Sequence, residues 1–389
     1  MLHPFKAVRP TRDKAYLVAT RSYISYSEEH LADKLDHNPY TFLHVINPQA
    51  LPEESAEVRH RAVRDRFNVF LNEGIFERDP QAHYYLYKQV TPTHSFVGII
   101  GLLDAFASTD GRVLPHEQTI EQRELLFAHY LEHVGFQAEP VLVFGPSTEQ
   151  YEHILAEVMN DRPEYEFAST DRFGHYLWLV PPQHNAALEA FFTREQRVYV
   201  ADGHHRLASS IRMAQMHPEN RDAQGILCMF MAENQVALET FERWLRWESA
   251  IAWETIDLHF DRTPVDFGLG DDFGPFLIEM YAEGQWYGLR PKTAFTTEVL
   301  STQVLYNLVL QPVFNVEDER TDPRLTYLRQ EAVDRSAEME TKGFRVGFRV
   351  VPPSVELLRS IAENNSSMPP KSTYIEPKLR SGMLIHTFL

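Results

Sequence analysis

The chain has 389 residues, with 37 Lys and Arg against 55 Asp and Glu, a formal charge of −18, and 43% hydrophobic and 12% aromatic residues. So much apolar material supports one large folded domain or two ordinary ones, and so negative a surface disfavours nucleic acid and anionic membranes as partners. The one cysteine, Cys228, excludes an intrachain disulfide and a cysteine zinc cluster; with no apolar run of membrane-spanning length and no signal-like N-terminus, a cytoplasmic protein is expected.

Phe5 to Pro10 reads as a short strand, Ser27 as the cap of a helix starting at Glu28, and Thr41 to Ile46 as a strand after the Asn38-Pro39-Tyr40 turn. Apolar spacing between Val58 and Asn72 predicts an amphipathic helix closed by Gly74. His83 to Val90 and Ser95 to Leu103 are expected to pair as a hairpin through Thr91-Pro92-Thr93-His94, with the tyrosines as core packing rather than a stacking platform. Next come His116 and Glu117, just before a helix that Thr119 to Gln122 could cap, with Arg123 one turn inside it. A solvated loop ahead of a capped helix and a chemically active loop are both compatible with this composition.

Pro140 to Phe144 is a buried strand stopping at Gly145-Pro146, and Ser147-Thr148-Glu149 opens a helix. Glu166 to Thr170 and Tyr176 to Val180 flank a hairpin loop, followed by a helix from Gln183 to Phe192. The run Val198-Tyr199-Val200 then reads as a hidden strand that breaks at Asp202-Gly203 before an amphipathic helix. Asp202, His204, His205 and Arg206 therefore crowd a strand-to-helix turn, where the free N–H groups and partial positive charge of a helix start suit an anion. The alternative is an Asp-Gly turn in which Asp202 caps the helix and the His and Arg side chains are solvated.

Beyond it, Ile226 to Met231 is a strand holding Cys228 as a small buried hydrophobe, Gly268-Leu269-Gly270-Asp271-Asp272 a surface turn, and Ser301 to Leu310 a helix. Glu317-Asp318-Glu319 is expected to be a solvated loop. In the proline-flanked stretch Ser367 to Gly382, Lys371, Ser372 and Thr373 form a fair phosphate reader, or else part of an ordered tail.

Ala201-Asp202-Gly203-His204-His205-Arg206 after a strand resembles the central motif of the DUF1015 family, which is defined by sequence. Phe5 to Pro10, Asn38 to Val45, His116-Glu117-x-Thr119 with Arg123, and Met368 to Tyr374 resemble further patterns of that family, so the likeness spans nearly the whole chain. The turn more distantly resembles the phosphate-binding turn of the ParB/sulfiredoxin superfamily, which includes free-serine kinases; the sulfiredoxin cysteine is a histidine here. Two departures stand out: Ile24 replaces an acid that usually follows the tyrosine, and the family's Leu-Pro-Thr-His-Arg is missing near Thr240 to Arg243, where Arg243 could replace the arginine.

The resemblance implies an α+β fold, mixed sheets with flanking helices on a ParB/sulfiredoxin-like core carrying insertions. A core α/β domain over 1–250 and an α+β region over 251–389, whose tail returns to the site, are expected. The implied function is nucleotide-dependent phosphotransfer to a small hydroxyl substrate, free serine among the acceptors, with ATP or ADP and Mg²⁺ as cofactors. Asp202 or Glu117 would act as base and hold the metal, with His204 also catalytic. Gly203, His205, Arg206, His116, Thr119, Arg123, Lys371, Ser372 and Thr373 would hold phosphates or substrate. Two other functions use the same residues: a non-catalytic nucleotide-binding regulator, and a metal-dependent hydrolase with His116, His204 and His205 as ligands. Adjacent histidines point apart in an extended strand, so one metal could take both only at a sharp turn.

Overall fold

The structure is a computed structural model and describes residues 1–47, 55–107, 109–193, 197–267, 276–293, 299–369 and 371–388. It is mixed α+β, and the chain divides into two compact units, Met1–Val236 with Pro377–Leu389, and Ala237–Glu376. The glycine turn expected at 268–272 lies outside the described residues.

The first unit is built on a mixed sheet of nine strands among the described residues. Its order is Val113–Leu114, Val198–Asp202, Val141–Gly145, Gly225–Ala232, Ser95–Asp104, Tyr85–Val90, Gly174–Leu179 and Tyr165–Ala168, with Leu2–His3 also paired to Ser95–Asp104. The hairpin forms as its alternation predicts, Val90 standing opposite Ser95, and Tyr84, Tyr85 and Tyr87 are buried in the core. Cys228 is fully buried and unpaired. The helices Glu149–Met159, capped by Thr148, and Asn185–Thr193 pack Tyr151, Leu155, Leu188 and Phe192 against Val198, Val200 and Phe230 of the sheet.

Thr41 to Ile46 departs from expectation. Leu43–Ile46 is a short helical turn rather than a strand, because Asn38 folds the chain back by accepting from the Tyr40 amide at 3.0 Å. A helical turn then sends Phe42, Val45 and Ile46 to one side, onto Phe67, Phe70 and Phe76. The C-terminal segment is bound to this region: Val8 and Ile385 exchange backbone bonds of 2.9 and 2.8 Å, and Thr20 and Ser381 bonds of 3.2 and 2.8 Å.

The second unit is an antiparallel sheet in the order Phe260–Val265, Gln285–Pro291, Ile278–Ala282, Val346–Val350, Phe241–Leu245 and Leu325–Arg329. Val304, Leu305, Val309, Leu310 and Phe314, from the helical stretch that begins at Ser301, pack on it. Glu319 is not solvated as expected. It is 7% exposed and accepts from Nε of the fully buried Arg243 at 2.9 Å. A guanidinium so deep requires a carboxylate partner, and the acidic loop supplies it.

Candidate functional site

The strand Val198–Asp202 carries four buried residues and then a register shift against Val141–Gly145 between Val200 and Asp202. Such a bulge re-aims the following side chain. Gly203 follows at φ 94°, and the helix His204–Met216 starts on it with no side-chain cap. The capping alternative for Asp202 is thus not what forms. Glycine serves two needs here. It takes a left-handed backbone at little cost, and a Cβ on it would stand 3.1 Å from the Arg206 guanidinium, which lies back across the turn.

Asp202 faces two cations. Lys378 Nζ donates to Oδ1 at 2.5 Å and Arg206 Nη2 to Oδ2 at 2.6 Å. Burial alone would raise this carboxyl's pKa, but Lys378 and Arg206 outweigh it and hold it below the ordinary value. Arg206 Nη1 also donates to the Pro140 carbonyl at 2.7 Å and pairs with Glu139 Oε1 at 2.9 Å. Ser381 donates to the other Glu139 oxygen at 3.2 Å. Both residues that the sequence reading missed on the C-terminal side, Lys378 and Ser381, come from the returning segment. Lys378 belongs to the marked proline-flanked stretch, but locally nothing separates it from Lys371.

His116 and His204 come together. Their rings meet edge to face at 4.5 Å, and the His116 amide donates to His204 Nε2 at 3.5 Å. That bond assigns the proton of neutral His204 to Nδ1, which faces Glu117 Oε2 at 3.7 Å, just beyond hydrogen-bond reach. His204 is 7% and His116 2% exposed. Burial first, and then the neighbouring His116, drive the His204 pKa well below its ordinary value. Burial lowers His116 to about 4. Both imidazoles are therefore neutral near pH 7, whereas the Glu117 side chain is 55% exposed.

Thr119 does not cap its helix. The N-cap is Ile120, and the Thr119 hydroxyl donates instead to Glu124, which pairs with Arg212 of the helix after the turn at 3.0 Å. This bond ties the His116-Glu117 loop to the same helix. Arg123 is exposed on the first turn, and His205 is half-buried, with Nδ1 enclosed and lacking a partner among the described residues.

Lys371, Ser372 and Thr373 belong to the second unit. There Ser372 is buried and hydrogen-bonded to Thr302 at 3.0 Å, and Lys371 sits over the Phe241 ring at 4.9 Å with its carbonyl accepting from Arg243 at 3.2 Å. Thr373 is half-buried beside the strand Tyr374–Glu376. Arg243 itself is enclosed in the ion pair with Glu319.

Each Asp202 oxygen already carries a cation, so the arrangement does not fit a resident Mg²⁺ on that carboxylate. Among the described residues no group of three or more His, Cys, Asp or Glu side chains is placed to hold a metal ion, which leaves the hydrolase reading without a ligand set. No helix of the described residues is long and apolar enough to cross a membrane.

Among solved structures, the chain is similar to a free serine kinase variant in complex with ADP, at 10% identity and a TM-score of 0.39 over 73% of this chain and 92% of that one. It is also similar to a conserved hypothetical protein from Pyrococcus furiosus, at 12% identity and a TM-score of 0.35 over 73% and 94%. A third is SbnI with a C-terminal truncation from Staphylococcus aureus, at 14% identity and a TM-score of 0.38 over 73% and 85%. None of the curated proteins compared with the chain matches it. The model of one sequence family, described as a protein of unknown function, matches residues 2–312, a span that holds the strand, the Asp202 turn, its helix and the His116-Glu117 loop, and the chain belongs to that family, DUF1015.

Proposed function

We propose that the Asp202–Arg206 turn binds the phosphates of a nucleotide, and that the protein is a nucleotide-dependent phosphotransferase acting on a small hydroxyl substrate, free serine among the candidates. The observation that carries this reading is the start of the helix His204–Met216, which has no side-chain cap and has the Arg206 and Lys378 cations beside it. A helix start without a side-chain cap, its dipole and two cations favour a polyanion over any neutral ligand. A ParB/sulfiredoxin-like core is part of the proposal and rests on this strand–glycine–helix turn.

Glu117 is the base in this reading. It is open to solvent, and the buried neutral His204 lies beside it, with Nδ1 at 3.7 Å from Oε2. Asp202, tied to two cations and held below its ordinary pKa, is a weak proton acceptor as placed. Arg206 neutralises charge on the transferred phosphoryl group. A nucleotide-binding regulator would share the phosphate contacts and lack the base.

The test is calorimetric titration with ADP and ATP, followed by detection of O-phosphoserine from ATP and free serine. Arg206→Ala is expected to weaken nucleotide binding about 100-fold, the loss of a charge-assisted pair at 1.4 kcal/mol per decade. Glu117→Gln should bind within twofold of wild type and lose 10²–10⁴ in turnover, the usual range for a general base. Nucleotide binding that survives Arg206→Ala unchanged would refute the phosphate site. Unchanged turnover in Glu117→Gln would refute the base.

A further inference from the structure

Asp202 and a bound polyphosphate would want the same two cations. Lys378 lies at 2.5 Å and Arg206 at 2.6 Å from the two oxygens of that carboxylate. Both belong to the unit that holds the turn, although Lys378 arrives from the far end of the chain. Lys378 stands on an irregular stretch between Tyr374–Glu376 and the Thr20–Ser381 bridge, and its side chain is 41% exposed. Its four-carbon stem can therefore reorient without disturbing a strand or helix. Arg206 is also held by the Pro140 carbonyl and Glu139.

We infer that Lys378 is a further phosphate-binding residue of the site and that Asp202 is its intramolecular competitor, an internal anion that a nucleoside polyphosphate displaces. The inference rests on the phosphate-binding reading above. When a ligand with several phosphate oxygens arrives, Lys378 transfers its charge-assisted bond from Asp202 to the phosphate, because the polyanion offers more charge and more acceptors than one carboxylate. The exchange leaves Asp202 with Arg206 alone. The C-terminal segment is in this way part of the site, and ligand occupancy is coupled to it through one ion pair.

The competition makes an unusual prediction: removing an acidic residue from the turn tightens anion binding. The probes are inorganic pyrophosphate and ADP, titrated into the full chain by calorimetry after circular dichroism has checked each fold. Asp202→Asn is expected to bind both about tenfold more tightly than wild type, and Lys378→Met about tenfold more weakly. In the double variant the gain from Asp202→Asn should shrink to about threefold or less, since one of the two freed cations is gone. Equal or weaker binding by Asp202→Asn overturns the competitor role, and wild-type affinity in Lys378→Met overturns the role of Lys378. Should Asp202→Asn fail to fold, the Lys378→Met titration decides alone. If wild type binds neither probe, the phosphate-binding reading itself falls and the inference with it; if wild type binds and the variants do not differ, only the inference falls.

Discussion

Four imidazoles are buried among the described residues, those of His116, His175, His204 and His386, and burial lowers the pKa of each. Burial pushes His116 down to about 4; burial, and then Arg380, push His175 down to about 3; and His204 is driven well below the ordinary 6.5. A folded pKa below the unfolded one means that the unfolded chain binds more protons between the two values. Stability is then intact above pH 6.5 and falls as the pH drops toward the folded pKa, at about 1.4 kcal/mol per pH unit for each group. For His116 alone the loss reaches ~3 kcal/mol by pH 4. At pH 5.5 an unfolded imidazole of ordinary pKa is about nine-tenths protonated while folded His116 and His175 stay neutral, so each of these two contributes ~0.9 proton of uptake on unfolding. Unfolding the protein in denaturant in a pH-stat at pH 5.5 reads this number directly. His175→Gln should lower the uptake by ~0.9 proton, whatever it does to stability, because the count depends only on the end states. His175 hydrogen-bonds Tyr87 at 2.7 Å and Ser169 at 2.8 Å, so the variant will also be less stable. An uptake unchanged by the substitution would show that His175 is protonated in the folded protein and that burial does not dominate its environment.

Two substitutions test the backbone and the second unit. Gly203→Ala places a Cβ 3.1 Å from the Arg206 guanidinium at φ 94°; a loss of about 1–2 kcal/mol is expected from the left-handed backbone, with a lower melting temperature and weaker ADP binding. Glu319→Ala leaves the buried Arg243 without its carboxylate and should cost about 3–5 kcal/mol, read as a lower midpoint in denaturant unfolding, with Glu319→Gln milder because its amide oxygen still accepts.

Elements whose partner is close in sequence were legible from residue type. The hairpin through Thr91 to His94, the Thr148-capped helix and the buried strand before Asp202 follow from alternation, capping chemistry and β-branched runs. The turn itself was legible because so many polar groups after a hidden strand cannot all be core. The helical turn at Leu43–Ile46 was not, since Val45 and Ile46 favour a strand locally and only the aromatic cluster of Phe67, Phe70 and Phe76 rewards the helix. Glu319 was misread for the same reason: an acidic run looks solvated until a distant arginine is buried beneath it.

By itself, then, the order of residues determined the family, the strand–glycine–helix turn and the set of groups able to meet an anion, because these depend on neighbours a few positions apart. Which of those groups act together was decided by tertiary structure. The pairing of Asp202 with Lys378 spans 176 positions and that of His116 with His204 spans 88. The protonation of each group follows from burial and from charges that no local pattern encodes.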